Sequence, residues 1–173
     1  MERLIVMRMV RAIITNDHVG LKTQSESEGR SPPTSLSAFF FEENVHHVIE
    51  AGAIDTVVAA MHAHPDDTVV QYFASWALGL VATNGQQSSV SVAKAGAIEA
   101  IVASMHSHRT HGDTQYYGCW ALWSLGSQSP ELLRRIKTAG GRETVQAALK
   151  HFSARQDLRE VAVELLKMLD VCQ

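Results

Sequence analysis

Two cysteines in 173 residues, Cys119 and Cys172, are too few and too far apart to staple a fold, and they form no CxxC pair. They read as reduced thiols and place the chain in the cytoplasm or the nucleus. Positive charge is scarce as well. Lys and Arg number 15 against 18 Asp and Glu, for a net charge of −3. A nucleic-acid reader usually carries a basic face, so nucleic acid is not an expected partner. No apolar run is long enough to span a bilayer. The N-terminal stretch from Leu4 to Ile14 is broken by Arg8 and Arg11 and lacks the order of a signal peptide, so no membrane contact is expected. Also missing are a glycine-rich phosphate loop, a paired-carboxylate motif and a nucleophile elbow. No catalytic residue, metal ligand set or cofactor is expected. With 46% hydrophobic residues the chain still has enough apolar material for a core, which excludes global disorder.

What the sequence does have is a repeat. Ala51-Gly52-Ala53-Ile54-Asp55 returns as Ala95-Gly96-Ala97-Ile98-Glu99 and, worn down, as Ala139-Gly140-Gly141-Arg142-Glu143, each 44 residues after the last. Met61-His62-Ala63-His64 returns as Met105-His106-Ser107-His108. Gln71-Tyr72 with Trp76-Ala77-Leu78 returns as Gln115-Tyr116 with Trp120-Ala121-Leu122. One common offset means whole structural units stacked in register. It falls in the ~40–47 residue window of helical repeats.

Each unit reads as three helices. In the copy from Glu43 to Gly85, a short helix over about 43–50 stops at Gly52, because glycine accepts the left-handed conformation that ends helices. A second helix runs from about Ala53 to His62. Pro65 breaks the chain, and Asp66 or Asp67 caps the third helix, which runs to about Thr83. That third helix has an apolar stripe at helical spacing: Val70, Phe73, Ala74, Ala77, Leu78 and Val81. The next copy places Thr114, Tyr117, Gly118, Ala121, Leu122 and Leu125 there, and the third Leu158, Val161, Ala162, Leu165, Leu166 and Leu169. Ser129-Pro130 opens the first helix of the last copy. The units span about 42–85, 86–128 and 129–173. Residues 1–16 read as a lone third helix, and 17–41, which include Ser-Glu-Ser-Glu and Ser-Pro-Pro, as a flexible insertion. The N-terminal helix has little polar face, so self-association through it is expected.

Val48-Ile49-Glu50-Ala51-Gly52-Ala53-Ile54 and Val92-Ala93-Lys94-Ala95-Gly96-Ala97-Ile98, followed by Trp-Ala-Leu in the third helix, resemble the armadillo repeat family. The resemblance implies an all-α, right-handed superhelical solenoid of three three-helix repeats after an N-terminal helix. It also implies a concave groove, lined by the third helices, that binds an extended peptide or a partner helix. In the importin-like branch a third-helix tryptophan is followed four residues later by an asparagine that clamps the peptide backbone. Trp76 and Trp120 match the tryptophan. The asparagine positions hold Leu80 and Ser124, and the third copy has Glu164 and Met168.

Tyr72 with Trp76, and Tyr116 with Trp120, are i, i+4 neighbours off the buried stripe. With Leu80, Trp123 and Ser124 they form the expected partner-binding groove of a non-enzymatic scaffold or adaptor. The alternative use of these rings is packing between repeats. Two other functions compete: a metal- or thiol-dependent hydrolase using the histidines or Cys119, and an importin-like nuclear-signal adaptor. His62/His64 and His106/His108 recur because the repeat recurs. Residues i and i+2 on a helix diverge, and their third-copy equivalents are Lys150 and Phe152, which suits a polar helix end better than a zinc site. Cys119 lacks any nucleophile signature and reads as a structural thiol.

Overall fold

The structure is a computed structural model and describes residues 52–171. The N-terminal helix, the insertion over 17–41, the short helix near 43–50 and Cys172 lie outside the described residues. Among the described residues there are eight α-helices and no strand: α1 (Ala53–Ala63), α2 (Thr68–Ala82), α3 (Gln86–Lys94), α4 (Ala97–Ser107), α5 (Gly112–Gly126), α6 (Pro130–Thr138), α7 (Gly141–His151) and α8 (Gln156–Val171). The 44-residue period is visible in the helix starts. Ala53, Ala97 and Gly141 open one set, Thr68, Gly112 and Gln156 another, and Gln86 and Pro130 a third.

The boundaries follow from local chemistry. Gly52, Gly96 and Gly140 precede α1, α4 and α7 at φ 70°, 85° and 82°, a left-handed conformation that side chains resist. Asp67 caps α2 by accepting hydrogen bonds from the Val69 and Val70 amides at 3.0 and 3.3 Å. The same repeat position before α5 is His111, whose Nδ1 accepts from the Thr114 amide at 3.2 Å. Ser129 accepts from the Glu131 amide at 3.2 Å and opens α6, with Pro130 in its first turn.

The units stack through their long helices, α2 along α5 and α5 along α8. The apolar stripe predicts most of the resulting core. Val70, Ala74, Ala77, Leu78 and Val81 are buried, as are Thr114, Gly118, Ala121, Leu122 and Leu125, and Leu158, Ala162, Leu165 and Leu169. Its border members Phe73, Tyr117, Val161 and Leu166 are only partly buried.

A buried glutamine ties together each of the first two units. Gln71 donates from Nε2 to the Met61 and His64 carbonyls, both at 2.8 Å. Gln115 repeats this with the Met105 and His108 carbonyls at 2.7 and 3.0 Å. These bonds satisfy carbonyls that a helix leaves orphaned at its C-terminus. The third copy holds exposed Arg159 at this position. Polar links also cross between units: Arg135 grips Glu99 with two bonds of 2.8 and 2.9 Å, and Arg155 reaches Asp113 at 2.9 Å.

Candidate partner-binding face

The sides of α2, α5 and α8 turned from the core form one face. On α2 its positions are Val69, Tyr72, Phe73, Trp76 and Leu80, all partly exposed and none charged. On α5 they are Asp113, Tyr116, Tyr117, Trp120 and Trp123. On α8 the sequence turns polar, with Asp157, Glu160, Glu164 and Lys167 exposed, and Glu164 is paired with Lys167 at 2.6 Å. The aromatic surface therefore belongs to the first two units.

Tyr117 is its hub. Its ring centroid lies 5.9 Å from Tyr72, 5.4 Å from Trp76 and 5.0 Å from Tyr116, the last in an edge-on arrangement. Phe73 completes the cluster at 4.3 Å from Tyr72 and 6.2 Å from Trp76. Partial burial pushes the Tyr117 hydroxyl pKa up, and the nearby Tyr116 and Asp113 push the same way. The two tyrosines of the repeated Gln-Tyr pair are each covered from the next unit at one repeat position. His111 stacks on Tyr72 at 6.1 Å, and the Arg155 guanidinium lies over Tyr116 at 5.3 Å. Both tyrosines thus serve inter-repeat packing as well as the surface.

Trp120 lies against the backbone of α2. A Cβ added at Gly79 would come within 2.6 Å of its Cζ3 and 3.1 Å of the Ala121 Cα. One face of the indole is therefore seated on α2 at a position where only glycine leaves room. We expect Gly79→Ala to lift the ring. Acrylamide quenching of Trp120 fluorescence, in a variant with Trp76 and Trp123 replaced by phenylalanine, should rise measurably; unchanged quenching would show that the seat is soft.

The remaining predicted groove residues divide. Leu80 and Trp123 are partly exposed and pack on the core. Ser124 does not reach the surface. It is 1% exposed, and its hydroxyl donates to the Trp120 carbonyl at 2.9 Å. A short side chain at that position on α5 points between helices, so its hydroxyl returns to its own backbone. Phe73 and Tyr117 were the residues that sequence reasoning missed for this face, since both sit on the border of the apolar stripe.

Cys119 is wholly buried, and burial alone pushes its thiol up to about 12. The thiolate is the nucleophile, so this group is inert at neutral pH. In a Cys172→Ser background, Cys119 should resist a thiol reagent such as DTNB in native buffer and react fully in denaturant. Fast native labelling would contradict its burial.

Three of the histidines, His106, His108 and His111, have local partners. His108 Nε2 lies 2.7 Å from the Pro65 carbonyl and bridges two units, His106 meets the Arg109 guanidinium, and His111 caps α5. Among the described residues no three His, Cys, Asp or Glu side chains converge as a metal site would require. A cleft of about 580 Å³ between α4 and α7 is bordered by His106, Arg109, Lys150 and His151. His106, Lys150 and His151 lie in the last turns of those helices, where the macrodipole favours cations. Among the described residues no helix is long and apolar enough to cross a membrane.

No protein-family model matches the sequence, and no curated protein matches it either. Solved structures do share its fold. One engineered protein from the Northeast Structural Genomics Consortium superposes with a TM-score of 0.65 at 23% identity, over 75% of this chain and 50% of its own. A second engineered protein from the same consortium gives 0.67 at 22% identity, over 96% of this chain and 64% of its own. The chain thus spans about half to two thirds of the length of these structures. At this identity the likeness is one of helical fold.

Proposed function

We propose that this chain is an armadillo-like solenoid module whose work is to bind another protein, without chemistry of its own. In this reading the α2–α5–α8 face is the concave groove of a right-handed superhelix, and an extended segment or helix of the partner lies across it. The observation that carries the proposal is the aromatic seam of Tyr72, Phe73, Trp76 and Tyr117, partly exposed and continuous across two units, with the partly exposed Trp120 seated on α2 at Gly79. Aromatic residues of this kind dominate binding hot spots. A cluster of rings left partly in water over an uncharged helix side is surface that a partner would cover.

Among the described residues the sealed thiol and the dispersed histidines give the competing hydrolase reading no assembled site. The importin-like reading wants an asparagine four residues after each tryptophan, where Leu80 is apolar and Ser124 is turned inward.

Selection from a displayed random-peptide library tests the proposal. Peptides chosen on the native protein should lose at least tenfold in affinity to Trp76→Ala and Trp120→Ala variants that still unfold cooperatively. Peptides that bind these variants as well as the native protein would move the site elsewhere.

A further inference from the structure

We propose that the segment taken by this face is proline-rich and bound as a polyproline II helix. The inference rests on the reading of the α2–α5–α8 face as a partner site and adds the chemistry of the partner.

Charge is the first argument. The outward positions of α2 carry no charge, and on the aromatic part of α5 the one carboxylate, Asp113, is held by Arg155. A charged segment would lose hydration over these rings and meet opposite charge only further along, on α8, where Asp157, Glu160, Glu164 and Lys167 are exposed.

Hydrogen-bonding chemistry is the second. The indole N–H groups of Trp76, Trp120 and Trp123 make no hydrogen bond among the described residues, and neither do the Tyr116 and Tyr117 hydroxyls. None of these atoms is sealed from solvent: among the described residues the buried side-chain polar atom without a partner is Ser104 Oγ. The three indole N–H groups can only donate, whereas the tyrosine hydroxyls can donate or accept. Acceptors are scarce beside the two repeated tryptophans themselves, where the positions hold Leu80 and an inward Ser124. An extended peptide brings an N–H at every residue, and those lying over the indoles would lose water without gaining an acceptor. Proline brings a carbonyl and no N–H, so a proline-rich strand matches a surface of donors.

Geometry is the third. A polyproline II helix repeats every three residues, or about 9 Å. Packed helices lie about 8–10 Å apart. Trp76 and Trp120 occupy the same repeat position on the adjoining helices α2 and α5. Prolines one turn apart can therefore meet both indoles at once. Flat rings against aromatic faces, with carbonyls to indole N–H groups, is how aromatic-lined grooves recognise such segments, and their preformed shape lowers the ordering cost.

The test uses the whole chain and a capped decaproline peptide, with a capped oligolysine peptide and a capped amphipathic helix as comparators, followed through the indole N–H signals in NMR. Decaproline should shift the Trp76 and Trp120 signals. Its affinity should fall at least tenfold in Trp76→Ala, and severalfold in Trp76→Phe, which keeps a ring and loses the donor. Failure of millimolar decaproline to move these signals would overturn the proposal, as would an unchanged affinity in Trp76→Phe and Trp76→Ala. If decaproline fails while basic or helical peptides bind in a Trp76-dependent way, the proline assignment falls and the partner face stands. If no peptide class binds and tryptophan replacement changes nothing, both fall.

Discussion

Replacing Leu122 with alanine should cost about 3–5 kcal/mol of stability, while Trp76→Ala should cost clearly less. Leu122 is completely buried in α5, the helix that packs on α2 on one side and α8 on the other. Truncation there removes apolar contacts within the core and leaves a cavity, because flanking helices held by their own contacts cannot collapse fully into it. Trp76 is larger, but part of its ring is already in water, so its loss forfeits less burial. Urea denaturation of the two variants gives the comparison directly. Equal losses would make Trp76 a core residue and remove it from the partner face.

Gln115→Leu should destabilise by about 1–3 kcal/mol although it adds apolar atoms to a buried site. The side chain is 2% exposed, and its Nε2 serves the Met105 and His108 carbonyls. The His108 carbonyl also accepts from the His111 amide at 3.0 Å and keeps a partner when the glutamine goes. The Met105 carbonyl lies in the last turn of α4, and no other hydrogen bond reaches it from beyond the helix. It would be left dry and unpaired. Gln71→Leu should behave alike at Met61, since the two sites match bond for bond. Arg159→Leu is the control: the same repeat position is exposed there and should change stability little. Thermal or urea unfolding of the three variants would show the pattern, and a neutral Gln115→Leu would mean that water replaces the amide.

The period, the helix limits and the inward stripe were legible in the sequence because each depends on local terms. Gly96 and Gly140 end α3 and α6 through their own φ, Asp67 and Ser129 cap through neighbouring amides, and the stripe follows from 3.6 residues per turn. Placing Trp76 and Trp120 away from the core is the same kind of inference, and both are partly exposed. What the period cannot carry is the border of the stripe. Phe73 and Tyr117 lie where a helix turns from core to surface, and only the distance and tilt of the adjoining helix decide how much of each ring is covered. The repeated Gln-Tyr pair was equally visible in the sequence. The bonds of the glutamine to carbonyls ten and seven residues back, and the covering of the tyrosine by His111 or Arg155, exist only once the turn has closed and the next unit has docked. Gly79 shows the limit most plainly. Nothing in its own helix asks for glycine; the indole of Trp120, 41 positions further on, occupies the space where its side chain would be. The sequence by itself determined the helices and their repetition, which are local. Tertiary packing decided which aromatic rings share a surface, because that depends on contacts between residues far apart in the chain.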